Sequence, residues 1–428
     1  MSDPHIFGHT YGGGAVRHFL RLVLEAACSF RGASAVMGLS SDFGPQFARR
    51  PAANTGQMWL LQVGLYELQR PKEAADDWVW ILDHTVQLGT VKCLLIVGCR
   101  LSVWRAAGRP LQHRELSVMA LEPVQKSDGA VVARQLEAAT AKTGIVPRAI
   151  LSDQGSDLKT GISSYRCEHP ETVATLDIAH QAANQLKREL NADERWMKFV
   201  VTAGQAKQRL ALTPLAALVP PTLRSKARYM NLEELVAWGL NTLRYLDNPQ
   251  PLAGRPVDRV ALAEKLGWLA EYRSALAEWG AMMTVISTTL VYVRANGYHH
   301  GAAEELGPCL LPAASAIAHR VAERLLEFVA SQSAVAVPGE RLMGSSECLE
   351  SLIGKGKRLE GQQSKSGFTK MILGLAASVV TPTCDFVKEA LTQTKNQDVL
   401  DWCRARLGIS VTAQRRAAYA SPVGTKPG

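Results

Sequence analysis

The sequence has no Cys-x-x-Cys pair, although it contains eight cysteines spread along the chain. Closely spaced cysteine pairs supply the ligands of many structural zinc sites, so their absence argues against a cysteine-based zinc site. Several of the cysteines lie in apolar runs, where a thiol behaves as a small hydrophobic group. This usage predicts a protein of a reducing, cytosolic compartment.

Long uncharged apolar runs and a leader segment are lacking as well. The most apolar stretch, residues 78–99, carries Asp83, His84 and Lys92, whereas a membrane span needs roughly 18–20 uncharged apolar residues. No apolar run near the start precedes a small-residue cleavage site, so no signal peptide is predicted. The triple glycine at 12–14 lacks the Lys-Ser/Thr ending of a nucleotide-binding loop. We therefore expect a soluble, cytoplasmic protein without a membrane partner.

Positive charge is in excess, and it is concentrated near the end of the chain. The formal net charge is +9, with a sequence pI of about 9.2. Residues 351–428 hold 12 Lys and Arg residues against 5 Asp and Glu residues, a local net charge of +7. Such a balance favours an anionic partner, either nucleic acid or a membrane surface. The alternative is a basic tail that only keeps the protein soluble.

The 428 residues are too many for one compact core, and the periodicity predicts five segments. Residues 1–75 show three short helical patterns, which fit a helix-turn-helix-like DNA-binding module or any small helical bundle. Residues 76–193 alternate strand and helix signals and predict a mixed α/β core. Residues 194–335 are almost wholly helical, residues 336–380 carry an acidic motif, and residues 381–428 form a basic tail.

Two aspartates each follow a short apolar strand. Asp83 comes after residues 78–82, and Asp153 comes after residues 149–152. A carboxylate at the carboxyl edge of a buried strand is held rigidly at the open end of a sheet. Two of them on neighbouring strands suit a hard cation such as Mg²⁺. The ordinary alternative is that strand-end aspartates cap loops.

Three segments carry a family resemblance. Residues 78–89, WVWILDHTVQLG, and residues 151–158, LSDQGSDL, resemble the first two acidic motifs of bacterial insertion-sequence transposases. Residues 345–357, SSECLESLIGKGK, resemble the motif in which such enzymes place their last catalytic acid on a helix, with basic residues just downstream. The resemblance covers nearly the whole chain, from the helical start to about residue 380.

The resemblance implies a ribonuclease-H-like fold and a DDE triad formed by Asp83, Asp153 and Glu350. This triad would hold two Mg²⁺ or Mn²⁺ ions, which activate the attacking oxygen and stabilise the leaving one in phosphoryl transfer. The long helical stretch between the second and third acids corresponds to the insertion domain that some transposases carry.

Glu347 competes with Glu350 for the place of the third acid. Lys357 lies seven residues after Glu350, about two helical turns on, so both side chains can share one face. Related transposases also carry Tyr and Arg seven and four residues before this Glu, where Met343 and Ser346 stand here. That departure weakens the subfamily assignment and leaves the acid assignment to Glu350.

The resemblance also implies supporting and DNA-binding residues. Asp177 and His180 match a Cys/Asp-x-x-His element that follows the second acid in several transposases, although an aspartate there can simply cap a helix. The basic residues expected to contact the DNA backbone are Lys355, Lys357 and Arg358. Trp196, at the start of the helical stretch, is a candidate for stacking on a flipped base, with core packing as the alternative.

The sequence therefore predicts a transposase that cuts and rejoins double-stranded DNA at the ends of a mobile element. Its partners would be the element ends and target DNA, and its working form a homodimer or larger assembly on DNA in the bacterial cytoplasm, at the nucleoid. Two alternatives stay open. One is a nuclease or resolvase of ribonuclease-H fold that performs no strand transfer, and the other is an inactive DNA-binding protein.

Overall fold

The computed structural model describes seven stretches of the chain: residues 6–40, 50–86, 91–222, 232–252, 256–311, 313–362 and 368–420. The chain divides into two compact units. Unit 1 comprises residues 1–174 and 346–428, and unit 2 comprises residues 175–345.

The helices in chain order are α1 (Gly13–Leu24), α2 (Phe30–Leu39), α3 (Ala53–Gln69), α4 (Leu101–Ala107), α5 (Gly129–Thr143), α6 (Ser156–Glu168), α7 (Ile178–Asn191), α8 (Glu194–Leu210), α9 (Glu233–Asp247), α10 (Arg259–Leu266), α11 (Arg273–Asn296), α12 (Ala302–Leu310), α13 (Ala316–Ser333), α14 (Glu347–Glu360), α15 (Leu373–Ala377), α16 (Cys384–Gln393), α17 (Asn396–Arg406) and α18 (Val411–Tyr419).

A five-stranded mixed sheet forms the centre of unit 1. The strands are β1 (Trp78–Val86), β2 (Lys92–Arg100), β3 (Ser117–Val124), β4 (Ala149–Ser152) and β5 (Val173–Leu176). Their order is β3-β2-β1-β4-β5. β1 runs antiparallel to β2 and parallel to β4, and β2 runs antiparallel to β3. The predicted mixed α/β class is confirmed.

Helices cover both faces of this sheet, because its central strands are apolar on both sides. Trp80, Leu82 and Ile96 point to one face, where they pack against α5 and α6 in a single core cluster. Ile81 and Leu95 alternate with them and are buried on the other face. There α14 packs against β1, and α3 packs against β3.

The N-terminal helices are part of unit 1 and do not form the separate module predicted for residues 1–75. Most of the 17 residues of α3 are buried, including all of residues 59–68. This helix packs against α15, α16 and α17 as well as β3. A recognition helix must offer an exposed face to DNA. Because residues 59–68 of α3 are enclosed, this helix has no exposed recognition face here, and DNA binding by the N-terminal residues stays a prediction.

The predicted basic tail, residues 381–428, also differs from the structure. α16 packs against α1 and α3, and α17 packs against α3. Val387, Ala390 and Leu391 are buried in these contacts. Only α18 among the described C-terminal helices has no buried residue. Residues 384–406 therefore belong to the core of unit 1, since they cover the N-terminal helices.

The contact between α3 and α15 gives a test of this arrangement. A Cβ added to Gly64 would lie 2.1 Å from the backbone oxygen of Leu373. We expect Gly64→Ala to lower the free energy of unfolding by about 2–3 kcal/mol, because two helix backbones must separate. Gly354→Ala, in α14, is the control, since a Cβ there meets nothing within 4 Å. It should stabilise the protein by up to about 1 kcal/mol. Urea unfolding measures both changes, and equal effects would contradict the close contact.

The described residues of unit 2 form helices and connecting segments apart from the last residues of β5, and the unit extends beyond the predicted insertion at 194–335. It begins earlier because α7 packs against α8, α11 and α13. It ends later because Leu342 forms an isolated bridge with Tyr298, whose hydroxyl donates to the Leu176 backbone oxygen at 2.8 Å. The 24-residue helix α11 lies against α7, α9, α12 and α13.

One helical run among the described residues, Arg259–Asn296, is long and apolar enough to cross a membrane by length and composition. Within its apolar window, 44% is buried inside the protein. Trp279 and Met282, for example, are fully buried. A core helix can pass the same test of length and composition.

Candidate functional site

Asp83 and Asp153 occupy equivalent places on two neighbouring parallel strands. The last residue pair between β1 and β4 joins Leu82 to Ser152, and each aspartate is the next residue. Neighbouring strands lie about 4.8 Å apart. Because the strands are parallel, both carboxylates leave the sheet at the same edge. The sequence predicted this pairing from two apolar runs, and the register shows it directly.

The sequence predicted that the strand ends at Asp83, but β1 does not end there. β1 continues to Val86, and its final residues pair only with β2, from Asp83 opposite Leu95 to Val86 opposite Lys92. The hairpin with β2 extends β1 beyond the point where β4 stops. Asp83 therefore lies within β1, at the first position where β1 is paired with β2 and no longer with β4.

Local hydrogen bonds fix both carboxylates. The backbone N–H of His84 donates to Oδ1 of Asp83 at 2.6 Å, and the N–H of Gly155 donates to Oδ1 of Asp153 at 2.8 Å. A Cβ at Gly155 would lie 2.9 Å from Oδ1 of Asp153 and 3.3 Å from Oδ1 of Asp157. A side chain at residue 155 would make at least the Asp153 carboxylate move, so glycine leaves room for both carboxylates.

Four further polar residues surround this edge of the sheet. Nε2 of His84 lies 3.1 Å from Oγ of Ser127, and Nδ1 of His84 lies 3.8 Å from Oδ2 of Asp157. Nζ of Lys92 lies 3.8 Å from the same carboxylate oxygen. Ser127 precedes α5, and Asp157 lies in the first turn of α6. The four residues thus join both central strands to two helices.

Burial and charge set the protonation of this cluster. Burial lowers the pKa of His84, although the nearby Asp157 carboxylate opposes that change. Burial opposes ionisation of Asp157, but the Ser127 hydroxyl, His84 and Lys92 together hold the pKa of this carboxyl below its ordinary value. At neutral pH the cluster therefore contains a neutral imidazole beside a carboxylate.

Sequence reasoning did not identify this cluster as part of the site. His84 and Asp157 stood inside the two acidic motifs, directly after Asp83 and four residues after Asp153, so adjacency was a usable signal. Ser127 is 43 positions from His84 in the chain. Its place beside the imidazole depends on how α5 packs on the sheet, which no local pattern specifies.

Glu350 and Glu347 both lie in the first turn of α14. Acids in a first helical turn are also favoured by the helix dipole, so their position has a structural explanation too. The next residue after Glu350, Ser351, places its Oγ 3.1 Å from Nε2 of His113, which precedes β3. α14 itself packs against β1, the strand that carries Asp83.

The donor chemistry of this edge fits a metal ion in part. Asp83 and Asp153 supply carboxylate oxygens, which hard cations such as Mg²⁺ and Mn²⁺ prefer. Within the seven described stretches, however, no three His, Cys, Asp or Glu side chains lie close enough together to hold one metal ion. The predicted set of Asp83, Asp153 and Glu350 is therefore not brought together as a closed three-carboxylate site.

Two of the three basic residues predicted to contact DNA are engaged within unit 1. Nζ of Lys355 donates to the backbone oxygen of Ser378 at 3.3 Å, and burial lowers the pKa of this lysine. Nη2 of Arg358 donates to the backbone oxygen of Val23 at 3.2 Å. Lys357 is exposed. Of this group, Lys357 points to solvent, whereas Lys355 and Arg358 tie α14 to its neighbours.

Trp196 is a core residue in this structure, which is the alternative raised from the sequence, and its stacking on a flipped base stays a prediction. Its side chain is 3% exposed and packs edge-on against Trp279, with ring centroids 5.0 Å apart. The rings in contact around Phe199 are Trp196, Trp238, Trp268, Tyr272 and Trp279. A base could reach Trp196 only if this aromatic core opened.

Asp177 and His180 lie at the start of α7 in unit 2. Oδ1 of Asp177 accepts a hydrogen bond from the backbone N–H of His180 at 2.8 Å and lies 3.1 Å from Nδ1 of the same residue. Asp177 is fully buried. The alternative raised from the sequence, a helix-capping aspartate, is therefore realised, and a role in supporting the acidic site stays a prediction.

Comparisons with known proteins do not assign the chain to a family. No protein-family description matches the chain, and no curated protein is significantly similar to it.

Proposed function

We propose that this protein is a DDE-type transposase, which cuts double-stranded DNA at the ends of a mobile element and joins them to target DNA. The observation that carries the proposal is that Asp83 and Asp153 each come one residue after the last pair that joins the neighbouring parallel strands β1 and β4. The sequence resemblance of the two segments around them to insertion-sequence transposases supplies the reaction class.

The sheet topology supports a ribonuclease-H-like core. In the order β3-β2-β1-β4-β5, the first and fourth strands are neighbours, and the second strand runs antiparallel to the first. This order brings together two acids that are 70 residues apart in the chain. α5 and α6 cover the face on which Trp80 and Leu82 lie, so the strands that carry the acids are held in a packed core.

Asp83 and Asp153 would hold the Mg²⁺ or Mn²⁺ that the reaction requires. Divalent ions at such a site lower the pKa of the attacking water or 3′-hydroxyl and stabilise the leaving oxygen of the phosphodiester. The protein contributes two rigid carboxylates, each accepting a backbone N–H. Exposed Lys357 would neutralise a phosphate of the bound strand.

Glu350 is the proposed third acid, brought to the two aspartates when DNA and metal bind. We expect Glu350→Gln to abolish cleavage of a labelled DNA duplex, whereas Glu347→Gln should retain it within about threefold. Each change removes one negative charge from the first turn of α14. The two variants therefore lose the same kind of favourable interaction with the helix dipole. If Glu347→Gln is the inactive variant, the third acid is Glu347 and the assignment is reversed.

The function itself is tested with wild-type protein on a duplex that carries the DNA ends flanking the gene, with Mg²⁺ or Mn²⁺ and a second duplex as target. We expect nicking at the element end, followed by joined products in the target duplex. Cleavage without joining would show a nuclease or resolvase instead. Binding without any cleavage would show an inactive DNA-binding protein. Both results contradict a transposase.

A further inference from the structure

Beyond Leu82, β1 has no strand partner on its β4 side among the residues that the structure describes. Its last residues can be restrained on that side only by side-chain contacts. Pairing between β1 and β4 stops at Leu82, and Asp83 comes immediately afterwards. From this point β1 pairs with β2 alone. A carboxylate that binds metal must be held within about 0.5 Å of its productive position. The structure must therefore restrain this strand in another way.

His84 provides a connection from the strand to both helices behind it. Its Nε2 lies 3.1 Å from the hydroxyl of Ser127, and its Nδ1 lies 3.8 Å from the carboxylate of Asp157. The side chain of His84 is 11% exposed, so the ring is enclosed at this place. Both partners sit on rigid elements, because Ser127 precedes the capped start of α5 and Asp157 lies in the first turn of α6.

The same residue also holds the Asp83 carboxylate directly. The backbone N–H of His84 donates to Oδ1 of Asp83 at 2.6 Å. Because side chains alternate along a strand, the imidazole and the Asp83 carboxylate leave β1 on opposite faces. Fixing the imidazole on one face therefore fixes the N–H that orients the carboxylate on the other.

Asp157 links this support to the second aspartate. A Cβ added to Gly155 would lie within 3.3 Å of a carboxylate oxygen of Asp153 and of one of Asp157. The two carboxylates are therefore close to the same backbone position. Lys92, opposite Val86 at the end of the hairpin, lies 3.8 Å from Asp157. The cluster thus reaches the residue after Asp83, the turn after Asp153 and the start of β2.

We propose that His84, hydrogen-bonded to Ser127 and enclosed beside the Asp157 carboxylate, is a positioning residue that fixes the Asp83 carboxylate for metal binding. This inference rests on the transposase proposal, since it assumes that Asp83 and Asp153 bind a divalent cation. His84 itself touches neither metal nor DNA. Its contribution is to hold the backbone N–H that sets the direction of the Asp83 carboxylate.

Mn²⁺ binding to the full-length protein, followed by electron paramagnetic resonance of the free ion, tests the proposal without a DNA substrate. We expect His84→Ala to weaken Mn²⁺ binding about tenfold, which is the low end of the effect of removing residues that orient metal ligands. Ser127→Ala removes the hydroxyl that contacts both His84 and Asp157 and leaves the imidazole in place, so it should weaken binding about threefold. His84→Gln, whose amide can still reach Ser127, should restore most of the affinity.

His169→Ala is the matched control. His169 lies in the same unit, its side chain is 18% exposed, and its Nε2 lies 3.1 Å from Glu137. This variant should bind Mn²⁺ like the wild type. Wild-type affinity in both His84→Ala and Ser127→Ala would overturn the positioning role and leave the metal site intact. If Asp153→Asn also binds Mn²⁺ like the wild type, or if the wild type binds none, the proposed function fails together with it.

Discussion

Asp153→Asn is expected to lower the rate of metal-dependent DNA cleavage about a thousandfold, which corresponds to about 4 kcal/mol of transition-state stabilisation. The physical reason is that the amide cannot carry the negative charge that binds a hard cation, although it has nearly the same shape. Asp83→Asn should cause a loss of the same size, because both carboxylates leave the same edge of the sheet.

Asp76→Asn is the control for these two variants. Asp76 is exposed and lies just before β1, whereas Asp83 and Asp153 follow the last pair of β1 and β4. Cleavage by this variant should equal that of the wild type. Rates are measured on an end-labelled duplex at saturating Mg²⁺. An Asp153→Asn protein that still cleaves within tenfold of the wild type would exclude this residue as a metal ligand.

The second large effect concerns the core of unit 2. Trp196→Ala should lower the free energy of unfolding of this unit by about 4 kcal/mol, because a buried indole in contact with Phe199 and Trp279 is replaced by a cavity. Met197→Ala, one residue further along α8, is the control. Met197 is 51% exposed, so its truncation should change stability by less than about 0.5 kcal/mol.

Urea unfolding followed by circular dichroism separates the two variants. DNA binding by Trp196→Ala, measured where the protein is folded, should equal that of the wild type. A variant of normal stability that loses DNA binding would instead restore Trp196 as a base-stacking residue.

The acidic pair was predictable because its signal is local. An apolar run that ends on an aspartate predicts where the carboxylate leaves a sheet, and two such runs predicted Asp83 and Asp153. The extension of β1 past Asp83 was not predictable in the same way, because it depends on pairing with β2. Strand ends are set by the partner strand, and residues 83–86 pair with residues 92–95 of β2.

The error on the N-terminal helices has a physical cause. Helical periodicity shows that a helix forms, and it does not show what covers the helix. Residues 59–68 are apolar nearly all round, which is the pattern of an enclosed helix. That signal was present in α3, and it favoured a core helix over a DNA-reading one. Its partners, α15 to α17, lie some 300 residues later in the chain.

The contacts that Lys355 and Arg358 make inside unit 1 were not predictable for a related reason. The spacing of Lys355, Lys357 and Arg358 on one helix does not reveal which of them meets a carbonyl oxygen. Arg358 bonds to Val23, which is 335 positions away. A short motif does not show acceptors that lie so far away in the chain. A run of basic residues therefore predicts positive charge near a site, but it does not show which of the side chains is available to bind DNA.

The metal site is tested most directly by the anomalous diffraction of Mn²⁺ in crystals of the full-length protein grown with millimolar MnCl₂. We expect a manganese peak about 2.2 Å from carboxylate oxygens of both Asp83 and Asp153. A Glu350 carboxylate at the same ion, in crystals that also contain DNA, would complete the proposed site. Manganese bound elsewhere, with Asp83 and Asp153 making no contact to it, would show that these two aspartates are not the metal ligands.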